Sequence, residues 1–293
     1  MRAVIKLQKA RPAPHGMRGV NGGAGLSSIV NIEQNLVYVF RELARALPGA
    51  EVHESDEFFW VLTPIRIALF NSLFAARLDP SGAEAAIEAV KAGAHATGVP
   101  LLWWVLPDDR PADLGRRLTA AGFRHVDTSP CMSLDLGSAL LDGGAPGDGG
   151  FTIATIANQA DARVWSDVLG AASGLPQAFS DAYFPFAVKV AQNPTGPLRN
   201  YGLWLDGELV ATSSLALNDG VAGIYNVATL PHARRKGLAT VLTAQAVRDG
   251  RDLGASVAIL QSSKAGFGVY RNLGFEQVGE LNQYTWPVLI PGD

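Results

Sequence analysis

The chain has 293 residues, 48% of them hydrophobic and 17% charged, with a formal net charge of −3. That composition excludes a disordered polymer and supports more than one hydrophobic core; the slight acidic excess excludes a general field for a nucleic-acid backbone. No apolar run reaches the roughly 20 residues a membrane-spanning helix needs, and Cys131, the one cysteine, excludes an intrachain disulfide and fits a reducing compartment, the cytoplasm.

Residues 1–28 are rich in Gly, Pro and Ser and are expected to form a poorly ordered arm. The Gly22-Gly23-Ala24-Gly25 run has no strand leading into it, which argues against a phosphate loop. A first domain is expected over 29–136. Within it, 66–78 reads as a strand, 80–98 as a helix ended by Gly98, 99–107 as a strand, 111–123 as a helix ended by Gly122-Phe123, and 131–136 as a strand. Phe58, Phe59 and Trp60 read as core or interface rather than as a substrate cage. Asn71, inside an apolar run, needs hydrogen-bond partners if buried, and is expected to face the other domain or a substrate.

The glycine-rich segment 137–150 reads as a linker, and a second domain follows over 151–293. Its order is β-α-α-β-β-β-α-β-α-β. Asn158 is placed to cap the first helix. Asp206-Gly207 lies between two alternating runs, the signature of a tight hairpin, and 218–220 turns the chain again into the strand 221–230. After Pro231 come Arg234, Arg235, Lys236 and Gly237. A helix then carries Leu238, Val241, Leu242, Ala246 and Leu253 on one face and ends at Gly254.

The two domains echo one another. Leu78 and Leu230 end strands, Gly98 and Gly254 end helices, and Gly122-Phe123 and Gly274-Phe275 end the next helices, at offsets of 152, 156 and 152 residues. A near-constant offset of domain length indicates duplication. The expected fold class is therefore α/β, with two tandem domains, each a mixed central sheet flanked by helices. In the first copy the strand-to-helix turn is four residues shorter, and it holds Asp79 and Glu84 in place of basic residues.

A helix N-terminus offers unpaired N–H groups and partial positive charge, which suit a pyrophosphate. Gly237 leaves the backbone there open to close approach. With this strand–turn–helix the sequence "ARRKGLATVL" resembles the pyrophosphate loop of the GNAT acetyltransferases, [QR]-x-x-G-x-[GA], with Arg234, Gly237 and Ala239 at the three specified positions. "GVYRNLGF" resembles the family's second signature, which has a tyrosine near the CoA sulfur. The resemblance covers about 151–290, and the first half looks like a degenerate copy.

The resemblance implies acetyl-CoA as co-substrate. It would lie between the strand ending at Leu230 and the strand at 257–261, bound by Val227, Ala228, Thr229, Arg234, Arg235, Lys236, Gly237, Leu238, Ala239 and Thr240. It also implies direct transfer to an amine, with Tyr270 protonating the thiolate. The family often places a glutamate on the strand before the loop, and this strand has none. Tyr225 and Asn226 are the polar candidates on it, and Tyr284 is placed to reach in from the last strand.

The expected activity is transfer of acetyl to a primary amine of a small molecule. The alternatives are a non-catalytic acyl-CoA sensor and a protein- or peptide-directed acetyltransferase. No metal site is expected, because the five histidines are scattered and form no HExxH pair.

Overall fold

The structure, a computed structural model, describes residues 24–137 and 150–287. The first half runs α1 (Ala24–Ala46), β1 (Glu51–Glu54), β2 (Phe59–Leu62), β3 (Ser72–Phe74), α2 (Ala83–Thr97), β4 (Leu101–Val105), α3 (Leu114–Ala120) and β5 (Arg124–Asp135). The second runs β6 (Phe151–Thr155), α4 (Gln159–Ala172), α5 (Gln177–Ala191), β7 (Leu198–Leu205), β8 (Glu208–Asn218), β9 (Val221–Thr229), α6 (Leu238–Asp252), β10 (Val257–Gln261), α7 (Phe267–Asn272) and β11 (Glu276–Trp286).

The local signals of the second half act as read. Asn158 Oδ1 accepts the Asp161 N–H at 2.9 Å, capping α4. Asp206 and Gly207 both have positive φ, 52° and 83°, as a two-residue hairpin turn requires.

The eleven strands of the described residues form one mixed sheet, in the order β1-β2-β3-β4-β11-β5-β10-β9-β8-β7-β6. The halves trade their last strands. β5 pairs with β10 on one side and β11 on the other, while β11 lies between β4 and β5. The join is antiparallel, with Ser129 opposite Leu281 and Thr128 opposite Asn282. One core, around Met132, Leu215, Leu242 and Leu260, lies under α6. Another, around Trp103, Ile87 and Leu118, lies under α2 and α3. The third spans both halves on the opposite face, where α1, α4 and α5 converge.

Helix α1 is the clamp of that shared core. Ile32, Leu36 and Phe40 are buried. The buried Asn35 donates through Nδ2 to the carbonyls of Ala216 (3.1 Å) and Val221 (3.3 Å) in the second half. Glu42 pairs with Lys189 of α5 at 2.9 Å.

Three expectations are corrected here. Helix α1 begins at Ala24, inside the segment read as an arm, while residues 1–23 lie outside the described residues, as does 138–149 of the linker. The run 66–78 is not one strand: a 3-10 turn (Ala68–Phe70) precedes the three-residue β3. Asn71 faces neither the other half nor a substrate. Its Oδ1 accepts the Thr63 N–H at 2.7 Å, and its Nδ2 donates to the Ile65 and Ile67 carbonyls at 2.8 and 3.2 Å. The buried amide thus satisfies a loop backbone that has no sheet partner.

Candidate active site

β9 and β10 are parallel neighbours over only three pairs, Val221–Val257, Ala222–Ala258 and Gly223–Ile259. Beyond Gly223 they diverge. β9 stays on β8 and β10 stays on β5, so a fork opens between them.

A bulge marks the fork's base. Thr212 pairs with Ala228 and Ser214 with Tyr225, so Asn226 and Val227 together oppose Ser213. Asn226 has φ +54°, a left-handed conformation that asparagine tolerates better than other non-glycine residues. Its carbonyl accepts the Thr212 hydroxyl at 2.8 Å. Past the bulge, Leu230 N–H bonds the Val210 carbonyl at 2.9 Å. Strand alternation then turns Val227 and Thr229 toward the fork.

The fork leads to the start of α6. Arg235 and Gly237 have φ of +62° and +76°. Among the described residues no side chain caps the helix. Its first bond runs from Val241 N–H to the Gly237 carbonyl at 3.2 Å, which leaves the N–H groups of Leu238, Ala239 and Thr240 unpaired. A Cβ built on Gly237 meets nothing within 4 Å, so the backbone is open here.

Fork and helix start form one cleft of about 670 Å³. Val227, Ala228, Thr229, Arg234, Arg235, Gly237, Leu238, Ala239, Thr240 and Tyr270 all line it. Lys236 is exposed outside it. Ser263, Gly266 and Val269, before and within α7, line it too; sequence reading missed them because they carry no motif letter.

Arg234 behaves differently from expectation. Its Nε donates to the Thr229 carbonyl at 3.0 Å and its Nη2 to the Ala172 carbonyl at 2.8 Å. It thereby ties the end of β9 to the C-terminus of α4, while Arg235, also lining the cleft, has no such tie among the described residues.

Tyr270 is 8% exposed, and burial pushes its phenol up to about 12. Tyr225 does not face the cleft. Its hydroxyl donates to Asn35 Oδ1 on α1 at 2.8 Å, and burial raises it above the ordinary phenol value, which removes it as a base. Tyr284 packs against Gly115 of α3 in the first half, so it does not reach the fork. Asn226 is held at the bulge, its Nδ2 donating to Tyr183 Oη at 2.9 Å and Ser214 Oγ at 3.0 Å. Cys131 is fully buried, and burial pushes its thiol up to about 12.

The first half holds a matching fork in closed form. β3 and β4 are parallel over Ser72–Leu102 and Leu73–Trp103. Ala75, just beyond β3, has φ +56°. The edge that follows is taken: Arg110 N–H bonds the Ala76 carbonyl at 2.9 Å, and Leu78 N–H bonds the Arg110 carbonyl at 3.1 Å. Asp109, 5% exposed, fastens this loop through Arg77 at 3.0 Å, and Arg77 in turn pairs with Glu33 of α1 at 2.9 Å.

A mixed sheet, a bulged strand forking from its parallel neighbour and an uncapped helix start at the fork's mouth define the GNAT fold. Residues 171–275 match the acetyltransferase (GNAT) family model, and this stretch is a GNAT acetyltransferase domain holding the fork, the basic turn and Tyr270. Acyl transfer is that family's chemistry.

Solved structures share the fold over both halves of the chain. A GCN5-related N-acetyltransferase from Kribbella flavida has TM-score 0.68 at 21% identity, over 90% of this chain and 97% of that one. One from Sphaerobacter thermophilus has TM-score 0.58 at 16% identity, over 90% and 93%. A tandem GNAT protein from the clavulanic acid biosynthesis pathway has TM-score 0.57 at 14% identity, over 88% and 94%. No curated protein sequence matches the chain. Among the described residues no helix is long and apolar enough to cross a membrane, and no cluster of three His, Cys, Asp or Glu is placed to hold a metal.

Proposed function

We propose that this protein is an acetyl-CoA-dependent N-acetyltransferase that acts on the primary amine of a small molecule by direct transfer. The carrying observation is the continuity of one cleft from the open edge at Val227 and Thr229 to the unpaired N–H groups of Leu238, Ala239 and Thr240. An extended amide chain fits the first and a pyrophosphate the second. The open space at Gly237 fits close phosphate approach.

Acetyl-CoA supplies the thioester. The Val227 N–H is placed to hold the charge that develops on the thioester oxygen. The amine lone pair forms the C–N bond as the C–S bond breaks. Tyr270, kept protonated by burial, gives its proton to the sulfur; the amine's proton leaves to water, and water reprotonates Tyr270. With its own fork filled by Arg110, the first half serves as support rather than as a second cofactor site. The small-molecule acceptor accords with the pathway of the tandem neighbour, and the buried thiol of Cys131 accords with the cytoplasm.

Free-thiol release from acetyl-CoA with an amine library tests this reading. Amine-dependent release supports it. Binding without release indicates a sensor, and release only with peptides indicates a protein acetyltransferase.

A further inference from the structure

Asn226 lies at the base of the fork, one residue before Val227, and its carboxamide is held from beneath. Both Nδ2 hydrogens are engaged, one by Tyr183 Oη and one by Ser214 Oγ. Ser214 has spent its own hydrogen on Asn200 Oδ1, at 2.7 Å, so toward Asn226 it accepts. Asn200, Ser214 and Tyr183 are 2%, 7% and 6% exposed. Tyr183 is itself fixed among rings, stacked on Phe179 at 5.6 Å and edge-on to Phe186 at 5.5 Å. With both Nδ2 hydrogens engaged, Asn226 Oδ1 has no hydrogen-bond partner among the described residues and is not one of their buried unpartnered atoms.

We propose that Tyr183 and Ser214 are positioning residues that hold Asn226 Oδ1 as the hydrogen-bond acceptor for the attacking amine, and that the acceptor substrate is a weakly basic amine, such as an arylamine or hydrazine, that arrives neutral. The inference rests on the acetyltransferase reading above. A carboxamide oxygen aligns an N–H but takes no proton at neutral pH.

The surrounding groups do not take it either. Tyr183 on α5 is buried and Tyr225 on β9 is half-buried, and desolvation raises both above the ordinary phenol value. Cys131 on β5 is pushed up to about 12. Arg199 on β7 is a cation engaged by the Gly196 and Thr195 carbonyls and by the Asp249 carboxylate of α6 at 3.4 Å. On α1 the neighbours are the neutral Asn35 and Val39. Among the described residues lining the cleft, Arg234, Arg235 and Tyr270 are the ionisable ones, with no carboxylate or imidazole. Transfer therefore draws on the fraction of amine already neutral.

The test is kcat/KM against pH for a series of primary amines, from alkylamines through hydrazines to ring-substituted anilines. The expected profile has one ascending limb whose midpoint follows each amine's own pKa. Tyr183→Phe keeps the ring and removes the hydroxyl. It is expected to raise the amine KM about tenfold, to leave acetyl-CoA affinity by calorimetry within about twofold, and not to move the limb. Asn226→Asp supplies a carboxylate, and alkylamines should gain relative to anilines, with the limb moving below the amine's pKa. A midpoint that stays fixed across amines, or an amine KM untouched by Tyr183→Phe, overturns the inference. If wild type fails to bind acetyl-CoA in calorimetry, the acetyltransferase reading fails, and this inference with it.

Discussion

Gly237 separates the cost of a backbone conformation from the cost of a blocked ligand. Its φ of +76° is unfavourable for a side-chain-bearing residue, yet a Cβ there meets nothing within 4 Å. Gly237→Ala should therefore lose about 1–2 kcal/mol of stability, from left-handed backbone strain alone. For a chain of this size that lowers Tm by roughly 2–8 °C.

Gly220 is the matched control: φ +75°, equally open, at the far end of β9. Gly220→Ala should show the same Tm loss. The two should part on acetyl-CoA. At Gly237 the methyl enters the space beside the N–H groups of Leu238, Ala239 and Thr240, where phosphate must approach. Calorimetric titration should show affinity falling at least tenfold, about 1.4 kcal/mol, for Gly237→Ala and unchanged for Gly220→Ala. Equal affinities in the two variants, with both folded, would refute the placement of the pyrophosphate.

Tyr270→Phe should lower turnover about 10²-fold with little change in acetyl-CoA affinity; unchanged turnover in single-turnover kinetics would assign the ring to packing. Because burial raises the Tyr270 phenol to about 12, the donor form persists through neutral and mildly alkaline pH and is lost only as pH rises through that value. Turnover should accordingly show no descending limb between about pH 7 and 10, measured where the protein stays folded. Calorimetry should give one acetyl-CoA per chain, and hydrogen exchange should find the Leu78 and Arg110 amides protected without ligand, while those of Val227 and Thr229 gain protection only with it.

The second half was legible because its signals are local. Glycines punctuate the helix ends, Asp206-Gly207 turns a hairpin, Asn158 caps, and the basic glycine turn sits at a strand end. What escaped depends on distant partners. Tyr225 looks available on an alternating strand, but its partner is Asn35, 190 residues away. Arg234 reads as a free cation until Ala172 is folded beside it. The bulge at Asn226 adds a residue that no alternation pattern announces. The 66–78 run misleads because Asn71 lets an apolar segment leave the sheet. Tyr183 carried no signal beyond an aromatic position on a helix.

The traded strands bear on how such a chain can diverge. β5 is encoded in the first copy, yet Met132 and Leu134 pack in the core under α6, and residues 131–135 pair with β10. The first half's last strand is therefore not free to change independently, because the second half needs it to complete its own sheet. Substitution along β5 should be bounded by structural tenancy in the second half, whatever the first half does on its own account.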